Sequence, residues 1–240
     1  MTEFKLLMAD TCIRCEVNYD FSLNMCRDYL TDGPEDLTVT VTPEDISSEA
    51  VRHGKYDPNP HSEGYYESLA LYRKICSALA MRGIVLIHGS SLMVDGEGFL
   101  FCASSGTGKS THTRLWRQVF GDRVTMINDD KPLVRVMPDG TAVIYGTPWN
   151  GKHHIGGNLS APLRNVCFLE RGEKNELTPA DIRDARTSIL RFVFRPDDPI
   201  ETAATLATAE KILGAVSLWN LKCNMDPEAA RVSYEGMTGK

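Results

Sequence analysis

The sequence predicts an α/β fold of α+β character, with mixed β-sheets and hairpins grouped around one glycine-rich loop. Three observations predict it. Apolar runs of strand length alternate with segments of helical period along the 240 residues. Two short turns, Asp95-Gly-Glu-Gly98 and Pro138-Asp-Gly140, each join a pair of apolar runs, which is a hairpin signal. The run Gly98-Phe-Leu-Phe-Cys-Ala103 leads into Ala103-Ser-Ser-Gly-Thr-Gly-Lys-Ser-Thr111, which turns sharply into a helical segment. Hairpins this close to such a loop depart from strict alternation of strand and helix.

The elements follow in order. Strands are expected at Phe4 to Met8, Cys12 to Asn18 and Leu37 to Thr42, with a turn at Asp32-Gly-Pro34. Thr42 is set to cap a short helix opened by Pro43-Glu-Asp-Ile. A polar loop, Gly54-Lys-Tyr-Asp-Pro-Asn-Pro60, runs to Ser62, the expected cap of a long helix. That helix has apolar positions at Tyr65, Leu69, Leu71, Tyr72, Ile75, Leu79 and Ala80, and Arg82-Gly83 ends it. Strands then follow at Ile84 to His88, Leu92 to Val94 and Phe99 to Ala103. A helix over Lys109 to Phe120 leads to a strand at Val124 to Asn128, and a hairpin pairs Leu133 to Val136 with Ala142 to Tyr145. The segment Gly146 to Pro162 reads as a loop, Asn165 to Glu170 as a strand, and Thr178-Pro-Ala-Asp181 as a helix start. A helix over Ile200 to Leu213, a strand at Val216 to Lys222 and a helix from Pro227 complete the chain. The length fits one large domain, residues 1–240, with a β-rich and helical portion at 1–83 and a core at 84–240.

Composition narrows the class. Hydrophobic residues make up 42% and charged residues 24%, and no apolar stretch approaches the ~20 residues that span a bilayer. The start Met-Thr-Glu-Phe-Lys lacks the pattern of a secretion signal, so a cytoplasmic protein with no membrane partner is expected. A formal net charge of −6 argues against nucleic acid as a partner, because a polyanion would be repelled. The seven cysteines are scattered and mostly embedded in apolar runs, as expected of reduced, buried thiols. Cys12 and Cys15 have metal-ligand spacing, but no second pair accompanies them, and in a strand they point to opposite faces.

The loop at 103–111 carries the chemistry. Gly106 and Gly108 let successive N–H groups of Ser105, Gly106, Thr107 and Gly108 approach an anion, and the helix that follows adds the positive end of its dipole with Ser110 and Thr111. Lys109 supplies charge to β and γ phosphates, and Ser110 offers a hydroxyl to Mg²⁺. The usual spacing would place glycine at 103; alanine is tolerated there if its φ is negative. The ligand class is therefore a nucleoside triphosphate, with ATP and Mg²⁺ the expected cofactors. Asp129-Asp130 closes a strand about twenty residues on, a common place for the acidic metal ligand of such sites. Two adjacent carboxylates divide naturally into one on a cation and one facing a hydroxyl acceptor. His88, at the end of an adjoining strand, is expected near the phosphates. The loop Trp149-Asn-Gly-Lys-His-His154 is a candidate substrate- or phosphate-facing loop, with Trp149 and Lys152 as its candidate contacts; an exposed polar loop anchored by Trp149 is the other reading.

His88-Gly89 before a hairpin, Ser105-Gly-Thr-Gly-Lys-Ser110 and Asn128-Asp-Asp130 resemble the nucleotide-binding core of HPr serine kinase/phosphorylase, a core also found in phosphoenolpyruvate carboxykinase. Pro148-Trp-Asn-Gly-Lys and Ala161-Pro-Leu-Arg-Asn165 look like stand-alone bacterial HPr-kinase-like proteins. The resemblance implies that family's P-loop fold and an ATP-dependent, Mg²⁺-assisted transfer of a phosphoryl group to a hydroxyl. It implies His88 near the transferred phosphate, Lys109 on the β and γ phosphates, and Ser110 on the metal together with one of the acidic pair, for which Asp129 is the candidate. Asp129 and Asp130 share the metal and base roles in an order the sequence leaves open. The acceptor, a protein, peptide or small alcohol, is unnamed by any residue pattern, and a homo-oligomer is plausible from the family. A nucleotide-responsive binding module and a simple ATPase are the alternatives.

Overall fold

The computed structural model describes the backbone of residues 1–54 and 60–240, and their side chains except those of 60–62. The expected loop at 54–60 and the expected cap by the Ser62 side chain therefore fall largely outside the described residues.

Three strands open the chain. Strands β1 (Thr2–Met8) and β2 (Thr11–Val17) form an antiparallel pair in which alternate residues Phe4, Leu6 and Met8 face the core. After the short helix α1 (Asp20–Met25), β3 (Leu37–Thr40) adds in parallel to β2. Helix α2 (Pro43–Arg52) starts as expected: the Thr42 hydroxyl accepts from Asp45 N–H at 3.3 Å, and the Asp45 carboxylate accepts from Thr42 N–H at 2.8 Å. Helix α3 (Pro60–Ala80) lays Leu71, Ile75 and Leu79 against these strands. Tyr65 departs from the expected apolar face; it is 45% exposed. Cys12 and Cys15 share β2, only Cys15 belongs to the core cluster, and burial pushes its thiol up to about 12. Among the described residues, no group of three His, Cys, Asp or Glu side chains is placed to hold a metal.

The remaining strands form one nine-stranded mixed sheet. Its members β4 (Ile84–Leu86), β5 (Ser90–Val94), β6 (Glu97–Cys102), β7 (Val124–Asn128), β8 (Leu133–Val136), β9 (Ala142–Tyr145) and β10 (Ser160–Arg171) run in the order β4-β8-β9-β10-β6-β5-β7. Helix α4 (Lys109–Phe120) lies between β6 and β7 in sequence. Two-residue turns suit hairpins because positive φ at both centres matches the twist of the strands. Asp95 (φ 52°) and Gly96 (φ 80°) provide that geometry between β5 and β6. Strand β10 joins two halves: Ser160–Pro162 pairs antiparallel with β9, and Leu163–Phe168 runs parallel to β6.

Beyond β10, strand β11 (Glu176–Pro179) and helices α5 (Ile182–Ile189) and α6 (Pro199–Ala215) precede β12 (Ser217–Cys223) and α7 (Glu228–Thr238). β12 runs parallel to β10, and β11 pairs with β12. Helices α4 and α7 cover one face of the sheet around Trp116, Phe99 and Phe101, while α5 and α6 cover the other around Ile189, Ile212 and Leu213. Among the described residues no helix is long and apolar enough to cross a membrane.

Three of the departures from expectation have a cause in the surrounding chain. Strand β4 ends at Leu86 rather than His88, because His88 N–H turns away to donate to Phe192 O at 2.7 Å. The expected loop at 146–162 gives its last three residues to β10, where β9 offers an unpaired edge. Thr178 and Pro179 do not start a helix; they pair with Asn220 and Trp219 of β12. The start of α5 is capped instead by Asp181, whose carboxylate accepts from Arg183 N–H.

Candidate active site

The glycine-rich loop leaves the buried end of β6 and enters α4. Gly106 (φ 78°) and Gly108 (φ 126°) occupy the left-handed half of backbone space, where a side chain would be strained. Ala103 does not, so alanine fits at the position where glycine is usual. Of the amides of 104–108, Thr107 N–H alone donates within the described protein, to Ser104 O at 3.1 Å. The others, with the unpaired first-turn amides of α4, form an array of donors able to receive an anion. Lys109 is 9% exposed, and its ammonium folds back to donate to Ala103 O at 2.7 Å. Burial depresses its pKa, and the charges of Cys102, Asp130 and Asp129 restore it only in part.

The opposite wall is the turn after β7. Asn128 is fully buried and organises it: its Oδ1 accepts from the N–H groups of Asp130 (2.9 Å) and Lys131 (2.7 Å), while Nδ2 donates to the carbonyl and hydroxyl oxygens of Thr147. Asp129 is buried with Oδ1 accepting from the Ser90 hydroxyl at 2.6 Å. Asp130 meets His88 Nε2 at 2.8 Å through Oδ1 and accepts from the Lys131 ammonium through Oδ2. Burial opposes ionisation of Asp130, but the hydrogen bond from His88 and the Lys131 charge outweigh it and bring the carboxyl down to about 2. Replacement of Asn128 by alanine removes four hydrogen bonds, two of them buried and two part-buried, and orphans two turn amides. A loss of about 2–4 kcal/mol in stability is expected by chemical denaturation.

The segment after β9 forms the third side. Gly156 (φ 146°) crosses so close to β7 that a Cβ would lie 2.6 Å from Ile127 O. Gly151 (φ 78°) brings the backbone against Asp130, where a Cβ would stand 3.1 Å from Asp130 Cβ. Trp149 does not line the cleft described below; it is buried and takes the anchoring place that was the other reading of this loop. Its ring stacks on Tyr72 with centroids 4.1 Å apart, and its Nε1–H donates to Ser68 O at 3.1 Å. The Tyr72 hydroxyl in turn donates to Lys131 O at 2.7 Å, so the Trp149–Tyr72 pair ties the loop and the acidic turn to α3.

These three walls enclose a cleft of about 390 Å³ lined by His88, Ser105, Lys109, Ser110, Asp129, Asp130 and Lys152, with Gly106, Gly108, Thr111, Gly151 and His153. The sequence-selected residues are thus gathered at one place, apart from Trp149 and from Thr107, which borders the far side of the loop. Ser110 and Asp129 are hard oxygen donors facing the same space, and no described residue bonds Asp129 Oδ2. Two protein oxygens, completed by phosphate and water, form a donor set suited to Mg²⁺.

No family model and no curated protein matches the chain. Among solved structures it is similar to the Hpr(Ser) kinase/phosphatase from Coxiella burnetii, at 9% identity and a TM-score of 0.33, over 63% of this chain and 95% of that one. A likeness of that extent carries nothing about activity to this chain.

Several site residues lie outside the sequence-selected set. Asn128 had a visible signal, since asparagine ahead of a polar turn bonds the backbone two residues on. Ser90 and Arg171 had none. The Arg171 guanidinium donates to Gly106 O and Thr107 O, turning loop carbonyls outward, from a position 65 residues away in sequence.

Proposed function

We propose that this protein is an ATP-dependent kinase of the HPr-kinase-like type that transfers the γ-phosphoryl group to a hydroxyl. The observation that supports the reading is the cleft itself, with donor amides and Lys109 on one wall and Asp129 and the His88–Asp130 pair on the other.

Phosphoryl transfer asks little covalent chemistry of a protein, so positioning and charge do most of the catalysis. The loop amides and the α4 N-terminus orient the phosphates. Lys109 exchanges Ala103 O for phosphate oxygens, and Lys152 adds positive charge from the opposite loop. Ser110 and Asp129 would hold Mg²⁺, which would supply positive charge to offset that of the phosphates. Ser90 fixes Asp129 by occupying Oδ1. Asp130 stays ionised and receives the acceptor's proton directly or by way of His88, to which it is bonded. A carboxylate of low pKa suffices, because a loose transition state gives up its proton late.

The test is incubation of the protein with γ-labelled ATP, Mg²⁺ and a lysate of its host. Label on a defined acceptor supports the kinase reading. Label recovered only as inorganic phosphate would make it an ATPase, and ATP bound but intact would make it a nucleotide-responsive binding module.

A further inference from the structure

Helix α4 carries two arginines that the phosphate cleft does not use. Arg114 and Arg117 follow Ser110 by four and seven residues, so the three share one face, with the arginines about 6 and 10 Å along the axis from Ser110. That face lines a second cleft of about 370 Å³, together with Met126 of β7 and with His153 and Ile155 of the segment that Gly156 carries across β7. The second cleft shares Ser110, Thr111, Asp129 and His153 with the phosphate cleft, so the two meet at the pair of oxygen donors assigned to Mg²⁺.

The positive charge in this second cleft has no counter-charge. Neither guanidinium makes an ion pair or a side-chain hydrogen bond among the described residues. Asp129 is the one carboxylate among the residues that line the cleft, and it is bonded to Ser90 instead. Elsewhere Arg52, Arg73 and Arg123 each meet a carboxylate at 2.6–2.8 Å. Acids are not scarce in a chain of net charge −6, yet two arginines one turn apart are left to repel each other. Arg117 is also half-buried, and a charge drawn part-way out of water favours a counter-ion. Two planar guanidinium forks side by side suit one phosphate or carboxylate group.

We propose that the phosphoryl acceptor is a small hydroxyl compound that carries its own anionic group, a phosphate monoester or a carboxylate, held by Arg114 and Arg117 while its hydroxyl meets the γ-phosphate beside Ser110 and Asp129. The inference rests on the kinase reading above and adds the substrate class and the residues that select it. A volume of about 370 Å³ is in the range of small-molecule sites, and Met126 and Ile155 offer apolar surface to the carbon atoms between the two polar ends. In the transfer the hydroxyl oxygen forms the new P–O bond, and the bond between the γ phosphorus and the β–γ bridging oxygen breaks. ADP leaves with that electron pair, and the hydroxyl proton passes to Asp130.

NMR titration of the full chain, saturated with Mg²⁺ and the non-transferring analogue AMP-PNP, tests the subsite with methyl phosphate and acetate as probes. Saturable binding of a single probe molecule is expected, and the tighter of the two probes names the anionic group. Arg114→Ala and Arg117→Gln are each expected to weaken that probe about tenfold and to leave AMP-PNP affinity within about twofold of the parent, which also shows that both variants fold. With γ-labelled ATP and host lysate, the labelled acceptor is expected to be a small compound that is anionic before it is phosphorylated. Arg114→Ala should raise its KM about tenfold with little change in kcat. No saturable binding of either probe, binding that AMP-PNP abolishes, unchanged probe affinity in both variants, AMP-PNP weakened as much as the probe, or a labelled acceptor that is neutral or a protein would each overturn the assignment. Those outcomes leave the kinase reading standing. A parent protein that binds no AMP-PNP, or that releases the label only as inorganic phosphate, would overturn that reading and the acceptor site with it.

Discussion

Replacement of Lys109 by methionine is expected to weaken ATP binding about 100-fold, equivalent to about 2.8 kcal/mol, while the melting temperature moves little. The affinity loss follows from removing the ammonium that sits at the head of the donor array, where water is largely excluded and a charge-assisted bond to phosphate is strong. The stability result follows from linkage. The folded pKa of Lys109 is depressed, so folding disfavours its charged form. Its presence therefore costs stability at neutral pH, a cost that disappears as pH rises past the folded value toward the unfolded one. Methionine removes that cost and keeps the aliphatic stem, but it gives up the bond to Ala103 O, and the two changes oppose each other. In the parent protein the same depression means that ATP affinity begins to fall with rising pH before an ordinary lysine would titrate. An affinity within threefold of the parent would remove Lys109 from the phosphate site.

The second large effect is expected from Asp130→Asn, which should lower the transfer rate by about 10²- to 10⁴-fold and leave ATP binding unchanged or slightly tighter. The amide can still meet His88 and keeps the volume of the turn, but it cannot receive a proton or carry the negative charge. Loss of that charge beside the phosphates is why binding should not suffer. The pH dependence has a definite sign. Asp130 is held down to about 2 by His88 and Lys131 against the effect of burial. Its contribution to stability is thus complete above the ordinary aspartate value and is lost as pH falls toward about 2. Acid titration of the parent should show this loss, and the asparagine variant should lack it. Undiminished transfer by the variant, measured once an acceptor is in hand, would end the role of Asp130 in proton transfer.

Elements governed by neighbouring residues were legible one after another in the chain. The α2 cap needs only Thr42 and Asp45, the β5–β6 turn only Asp95 and Gly96, and the glycine-rich turn from β6 into α4 only its two glycines and the strand and helix on either side. Where partners are far apart in sequence the reading failed or fell silent. β11 replaced a helix start because the edge of β12, some forty residues later, was available to Thr178 and Pro179. Trp149, aromatic and set beside a lysine and two histidines, left two readings open, a ligand contact or an anchor of the loop, and the Tyr72 ring stacked on it shows the anchor.

The sequence by itself determined which groups meet at the cleft: glycines that allow positive φ, an ammonium, a hydroxyl and two carboxylates, in an order suited to a polyphosphate and a cation. Those properties belong to residue types and short spacings. Only the tertiary structure set the surroundings of each carboxylate, placing Asp129 under Ser90 and across from Ser110, and Asp130 between His88 and Lys131. Burial, the loss of water and the arrival of a partner from a distant strand set ionisation and hydrogen bonding, and none of these is a property of a residue and its near neighbours.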